Sequence, residues 1–233
     1  MEFTSEEEND VLRSQELEFV RAEMESSARL ANRDAADITL VAISKTRCAD
    51  EIRPLIAAGQ RVFGENRVQE AQDKWPILKQ ENGDIELHLV GQLQSNKALE
   101  AVELFDVIHS VDRPSLVTAL VKAIAKSGRQ PMCYIQVNIG DEDQKGGVAI
   151  DDIAALLKTC DEQNLEISGL MCVPPANVEA APYFALAAKI ARDHGLMAPN
   201  MALSMGMSGD YKTAIMMGAT HIRVGTALFG ART

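Results

Sequence analysis

The chain has 233 residues, 46% of them apolar and 24% charged, and its 34 acidic against 23 basic residues give a formal charge of −11. These proportions describe a folded chain with a core of its own and exclude wholesale disorder. An acidic balance without any Lys/Arg cluster argues against nucleic acid or an anionic membrane surface as partner, so an anionic ligand has to be held by local geometry.

The opening stretch Met1-Glu2-Phe3-Thr4-Ser5-Glu6-Glu7-Glu8 lacks the basic and apolar regions of a signal peptide, and no later segment nears a membrane span. The reading is a cytoplasmic protein with an acidic N-terminal tail over residues 1–10 and one domain over residues 11–233. Val11, Leu12, Leu17, Phe19, Val20, Met24 and Leu30 predict an extra amphipathic helix, packed outside the domain core or across its bottom.

From there the sequence alternates between short apolar or β-branched runs and segments with helical spacing. Candidate strands begin near Ile38, Arg61, Glu86, Val107, Met132, Ile167, Ala202 and Thr220, at intervals of 23, 25, 21, 25, 35, 35 and 18 residues. Each interval has room for a helix. Between the fourth and fifth strands, Leu116, Val117, Leu120, Val121 and Ile124 share one helical face, with Pro114 in the first turn and Gly128 closing it. Eight such units with buried strands predict a single (β/α)8 TIM barrel with an extra N-terminal helix. A doubly wound sheet would leave two edges, and no Gly-x-Gly-x-x-Gly follows the first strand.

In such a barrel ligands bind at the C-terminal ends of the strands. The first strand ends in Ser44-Lys45-Thr46, and alternation places Lys45 on one face with Val41 and Ile43. An amine at the top of an apolar column is depressed in pKa by burial and becomes a nucleophile for a carbonyl, with a Schiff base as product. The second strand runs into Phe63-Gly64-Glu65-Asn66-Arg67 and the third into Gly91-Gln92-Leu93-Gln94-Ser95-Asn96-Lys97, amide-rich ends without the carboxylate pair or triad of a hydrolase. Asp141, Glu142 and Asp143 are consecutive and cannot face one centre, which makes them a solvated loop.

Met205-Gly206-Met207-Ser208-Gly209-Asp210 offers glycines, a hydroxyl and a helix start where this fold usually binds phosphate, joined by Arg223-Val224-Gly225-Thr226 on the last strand. Arg223 points either into the barrel or out among the helices. The histidines His88, His109, His194 and His221 show no metal-ligand spacing, and His88 is expected to hydrogen-bond within the barrel. Cys48, Cys133, Cys160 and Cys172 form no Cys-x-x-Cys pair and read mostly as small core residues, Cys48 beside Lys45 excepted.

Taken together, ITLVAISKTR, FGENRVQEA, LHLVGQLQSNK, YIQVNIGDEDQKGGV, GLMCVPP and LSMGMSGDYKTAIMMGATHIRVGTALFGAR resemble, in order and spacing, the pyridoxal phosphate homeostasis proteins, from about Ile38 to Arg232. Leu87 stands where an aromatic is common and Arg47 where lysine is frequent. The resemblance implies a barrel like the N-terminal domain of alanine racemase holding pyridoxal 5'-phosphate (PLP) covalently on Lys45. Asn66 would lie beside the cofactor, Ser208 with the backbone of Gly209, Gly225 and Thr226 would hold the phosphate, and Arg223 would face the pyridine nitrogen.

A cation at that nitrogen disfavours its protonation and weakens the ring as a carbanion sink. Racemases with this arginine add a tyrosine base from a second domain, which a chain ending at Thr233 leaves out. The expected function is therefore a non-catalytic PLP carrier in vitamin B6 homeostasis, a monomer whose partners are PLP and apo PLP-dependent enzymes, with no metal. A small amino-acid racemase or Schiff-base lyase of the same fold is the alternative, and a binding module for another phosphorylated metabolite is a third reading.

Overall fold

A computed structural model describes residues 5–142, 144–196 and 201–230, with side chains from Val11 onward. Met1 to Thr4 of the acidic stretch, Asp143 of the acidic loop and Arg232 of the last motif lie outside the described residues. A long helix α1 (Ser5–Leu30) comes first. The strands are β1 (Thr39–Ile43), β2 (Val62–Glu65), β3 (Glu86–Leu89), β4 (Val107–Val111), β5 (Met132–Val137), β6 (Ile167–Cys172), β7 (Ala202–Met207) and β8 (His221–Val224). Between them run α2 (Ala49–Ala57), α3 (Val68–Glu81), α4 (Ala98–Leu104), α5 (Pro114–Ser127), α6 (Ile153–Glu162), α7 (Ala181–Asp193) and α8 (Tyr211–Met216), and a four-residue helix α9 (Thr226–Phe229) follows β8. The run from Thr220 is thus a strand only to Val224, after which the chain turns at Gly225 into α9.

The strands are parallel in sequence order, and β8 closes on β1 with Leu40 opposite Ile222 and Val41 opposite Arg223. This is the expected (β/α)8 barrel. Alternation sorts each strand between two environments. On β1, Leu40 and Ala42 join the main apolar core between strands and helices. Val41 and Ile43 point inward, where Gly64 of β2 makes room: a Cβ there would sit 2.5 Å from Ile43 Cδ1 and 2.9 Å from Val41 Cγ1. The inward side of β3, β4, β7 and β8 carries His88, His109, Ser204 and Arg223, all buried, beside a small apolar cluster of Val107, Tyr134 and Ala202. Barrels of this kind usually fill that space with branched aliphatics.

The extra N-terminal helix has a definite place. Among the described residues, the segment after β8 is a single turn, and α1 takes the place beside it in the outer ring by packing against α8, α2 and α9. Arg13 Nη1 donates to the carbonyl of Leu228 at 3.0 Å at one end, and Arg33 Nη1 donates to the carbonyls of Ile215 and Ala219 at 2.9 and 2.7 Å beyond the other. The backbone is already helical from Ser5, so the helix takes in the second half of the stretch expected as an acidic tail. The buried stripe is Arg13, Leu17, Val20, Ser27 and Ala28, with Met24 packed against the core. Val11, Leu12, Phe19 and Leu30 fall away from that stripe at 100° per residue and are exposed, contrary to the single apolar face expected. Among the described residues, no helix is long and apolar enough to cross a membrane.

The two faces of α1 should respond differently to truncation. Leu17→Ala is expected to cost about 2–5 kcal/mol in urea unfolding, as for other buried leucines, and Phe19→Ala less than about 0.5 kcal/mol. Equal losses would contradict the assignment of the packed face.

Candidate functional site

The C-terminal strand ends open into a cavity of about 460 Å³. Lys45, Asn66, Ser208, Gly209, Arg223, Gly225 and Thr226 all line it, which brings together the seven residues that the resemblance implies for the site. Ile43, from the apolar column expected below Lys45, and Val90, Val173 and Met207 add apolar wall. Apolar walls with a few convergent polar groups are the ordinary make-up of a small-molecule site.

Lys45 follows β1 in a loop held from below. Lys74 of α3 is buried, and its Nζ donates to the carbonyls of Ser44 and Arg47, each at 2.9 Å, on either side of Lys45 and Thr46. The same ammonium lies 2.9 Å from Glu65 Oε1 and 3.0 Å from Glu70 Oε1. Thr46 has a left-handed φ of 65°, a costly conformation for a β-branched residue, and its N–H is taken up by Glu70 Oε1. Glu65 is fully buried at the end of β2. Its Oε1 also accepts from Ser44 Oγ at 2.6 Å and Trp75 Nε1 at 3.0 Å, and burial pushes its carboxyl above the ordinary range against the pull of Lys74. One buried pair thus fixes the loop that bears Lys45 and the strand end that bears Asn66.

At the last two strands, Ser208 Oγ accepts the backbone N–H groups of Gly225 at 3.2 Å and Ala227 at 3.3 Å. Two main-chain donors converging on one oxygen in the cavity wall form a place that a phosphate oxygen can take. The turn stays tight because Gly206 has φ +92° and its missing Cβ would sit 2.5 Å from Ala214 Cβ. Ala227, absent from the expected set, contributes only its amide, and an amide leaves no residue-type signal in a sequence.

Arg223 points inward, which resolves the choice left open by alternation. It is 5% exposed, with Nη1 donating to Ser204 Oγ at 2.7 Å and Nη2 to the carbonyl of Cys172 at 2.9 Å. Burial lowers its pKa from the usual arginine value, with Cys172 and Asp210 opposing the shift. His88 does hydrogen-bond within the barrel, to His109 and Glu86. Cys48 is exposed, and the other three cysteines are buried free thiols, with burial pushing Cys133 and Cys172 up to about 12. Among the described residues, no group of three or more His, Cys, Asp or Glu could hold a metal ion.

The family model described as the alanine racemase N-terminal domain matches residues 21–233. The pyridoxal phosphate homeostasis protein of Pseudomonas aeruginosa is 40% identical over 220 residues, covering 91% of this chain and 93% of that protein. Among solved structures, PipY of Synechococcus elongatus PCC7942 with PLP bound matches with a TM-score of 0.77 at 40% identity, over 89% of this chain and all of that one. The alanine racemase of Bacillus anthracis shares the fold, with a TM-score of 0.66 at 15% identity over 93% of this chain and 56% of that one.

The buried clamp under Lys45 has a measurable signature. Lys74→Met leaves the Glu65 carboxylate buried without its cation and is expected to destabilise the protein by about 3–5 kcal/mol in urea unfolding. Adding Glu65→Gln to it should recover much of the loss. A cost below about 1 kcal/mol for Lys74→Met alone would show that the pair does not hold this corner.

Proposed function

Because the chain belongs to the pyridoxal phosphate homeostasis proteins, built on the barrel of the alanine racemase N-terminal domain, we propose that it binds PLP at the barrel mouth, covalently through Lys45, and serves vitamin B6 homeostasis without being an enzyme. The observation that carries this reading is the gathering of all seven expected residues around one cavity. When bound, the cofactor supplies an aldehyde that condenses with an amine into a carbon–nitrogen double bond with release of water. The residues present suit such a group: an amine on a clamped loop, a corner of main-chain donors for a phosphate, and apolar walls at Ile43, Val90 and Val173 for a ring.

Each residue then has a task. Lys45 provides the attachment point, and Lys74 with Glu70 keeps its loop from moving. Ser208, with the amides of Gly225 and Ala227, binds the phosphate, assisted by Gly209 and Thr226. Asn66 and the apolar walls orient the ring. Arg223 faces the pyridine nitrogen as a fixed cation, and a cation there opposes ring protonation and so opposes carbanion chemistry at the attached carbon. Among the described lining residues none is a carboxylate, histidine or tyrosine, so Arg223 and Lys45 are the charged groups on the wall. Reversible attachment suits storage and delivery of a reactive aldehyde, and the recipients on this reading are apo PLP-dependent enzymes served by a monomer in the cytoplasm.

Borohydride reduction after incubation with PLP, followed by peptide mass spectrometry, should place a pyridoxyl adduct on Lys45 and lose it in Lys45→Ala. An adduct on another lysine overturns the site. The loaded protein should racemise or cleave L-amino acids no faster than free PLP. Turnover well above that background would favour the racemase or lyase reading instead.

A further inference from the structure

The barrel interior below the cavity holds a line of polar groups that the proposed binding role does not use. Starting at the cavity, Arg223 Nη1 donates to Ser204 Oγ at 2.7 Å, and Ser204 Oγ lies 3.0 Å from His109 Nδ1. His109 Nε2 lies 2.9 Å from His88 Nδ1, and His88 Nε2 lies 2.6 Å from Glu86 Oε1. Ser204, His109 and His88 have no exposed surface. Glu86 is the first residue of β3, at the barrel face opposite the cavity, and its side chain is 41% exposed. The line passes from β8 through β7 and β4 to β3.

Its ends dictate its direction. A guanidinium can only donate and an ionised carboxylate can only accept. With Arg223 donating to Ser204, the serine proton is left with His109 Nδ1 as its acceptor among the described hydrogen bonds. His109 has no exposed surface and burial holds it well below the ordinary histidine range, so it carries one proton, which must sit on Nε2 because Nδ1 accepts from Ser204. That proton is donated to His88 Nδ1, and His88 Nε2–H is donated to Glu86. Hydrogen bonding to His88 in turn holds the Glu86 carboxyl below the usual carboxylate range. The opposite arrangement, with a cationic His88 and a proton on His109 Nδ1, strands the Ser204 hydroxyl without an acceptor in a dry interior, which is costly.

We propose that Glu86, His88, His109 and Ser204 form a one-way hydrogen-bond relay that positions the Arg223 guanidinium at the cavity floor. Each member donates toward Glu86, so the carboxylate is a remote partner for a buried cation whose direct contacts are a hydroxyl and the Cys172 carbonyl. Tyr134 packs on His109 with ring centroids 4.5 Å apart, and His221 meets the same ring edge-on at 6.3 Å. These two bonds use one N–H of Nη1 and one of Nη2, which leaves Nε–H and the second N–H of each Nη as further donors. The relay therefore makes these four residues positioning residues for Arg223, and its consequence for a bound pyridine rests on the function proposed above.

Nitrogen-15 NMR of the histidine rings and of the Arg223 Nε–H, on the full chain without PLP, tests the relay apart from cofactor binding. His109 and His88 should each show a bare Nδ1 and a protonated Nε2 near neutral pH. Ser204→Ala should shift the Arg223 Nε–H signal and disturb the His109 tautomer, with both restored in Ser204→Thr. Glu86→Gln, at the half-exposed end where folding is least at risk, should change the tautomer populations of His88 and His109. A doubly protonated His88, a proton on His109 Nδ1, or an Arg223 signal indifferent to Ser204→Ala in folded protein overturns the proposal. Because no cofactor is added, failure here is separate from failure to bind PLP.

Discussion

A positive charge is held inside the barrel at Arg223, 5% exposed, and among the described residues no carboxylate lies in ion-pair contact with it. Removing an ion from water without a partner is expensive, so its surroundings must supply dipoles at fixed positions. That requirement accounts for the composition of the interior. Positions that would otherwise carry stacked aliphatics carry Ser204, His109, His88 and, at the far rim, Glu86, while the outward positions of the same strands remain apolar, as Leu87, Leu89, Ile108, Leu203 and Met205 do. The apolar core that stabilises the fold lies between strands and helices, which leaves the barrel lumen free to be polar and to serve the site at its mouth.

The mouth depends on a second buried pair, Glu65 with Lys74, in a different way. Arg223 is placed by a strand, whose backbone ladder is rigid, but Lys45 lies on a loop with Thr46 in a left-handed conformation. The loop keeps this shape because α3 sends Lys74 to its carbonyls and Glu70 to the Thr46 amide. Rigid strands therefore carry the ring-facing side, and a clamped loop and a glycine-built turn carry the two ends proposed for covalent attachment and phosphate. A site organised this way can bind a small anionic aldehyde without a basic protein surface, in keeping with a chain of charge −11.

Much of this was legible in the linear pattern. All eight strands begin within a residue of their expected starts, because buried parallel strands read as continuous apolar runs and each is punctuated by a helix. The seven site residues meet because strand C-termini converge at one end of a closed barrel, so reading the residue after each run already locates the site. What stayed hidden rests on contacts between distant residues. Ser204 and His109 are 95 positions apart, Lys74 and the Ser44 carbonyl 30 apart, and nothing in either neighbourhood marks the partner. Helix α1 misled because Leu12, Phe19 and Leu30 are apolar but lie away from the barrel, while Arg13 and Ser27 occupy the packed stripe through hydrogen bonds to the Leu228 and Glu23 carbonyls. The last strand ends at Val224, short of the run from Thr220, because Thr226–Phe229 has no periodicity that distinguishes one helical turn from a strand end.

The proposed function turns on Arg223 presenting a fixed cation to a pyridine nitrogen. The most direct measurement is the nitrogen-15 shift of the ring nitrogen in protein loaded with labelled PLP, for the wild type and for folded Arg223→Glu. An unprotonated nitrogen in the wild type that becomes protonated in the variant is the predicted result. A protonated nitrogen in the wild type, or the same shift in both proteins, would contradict it.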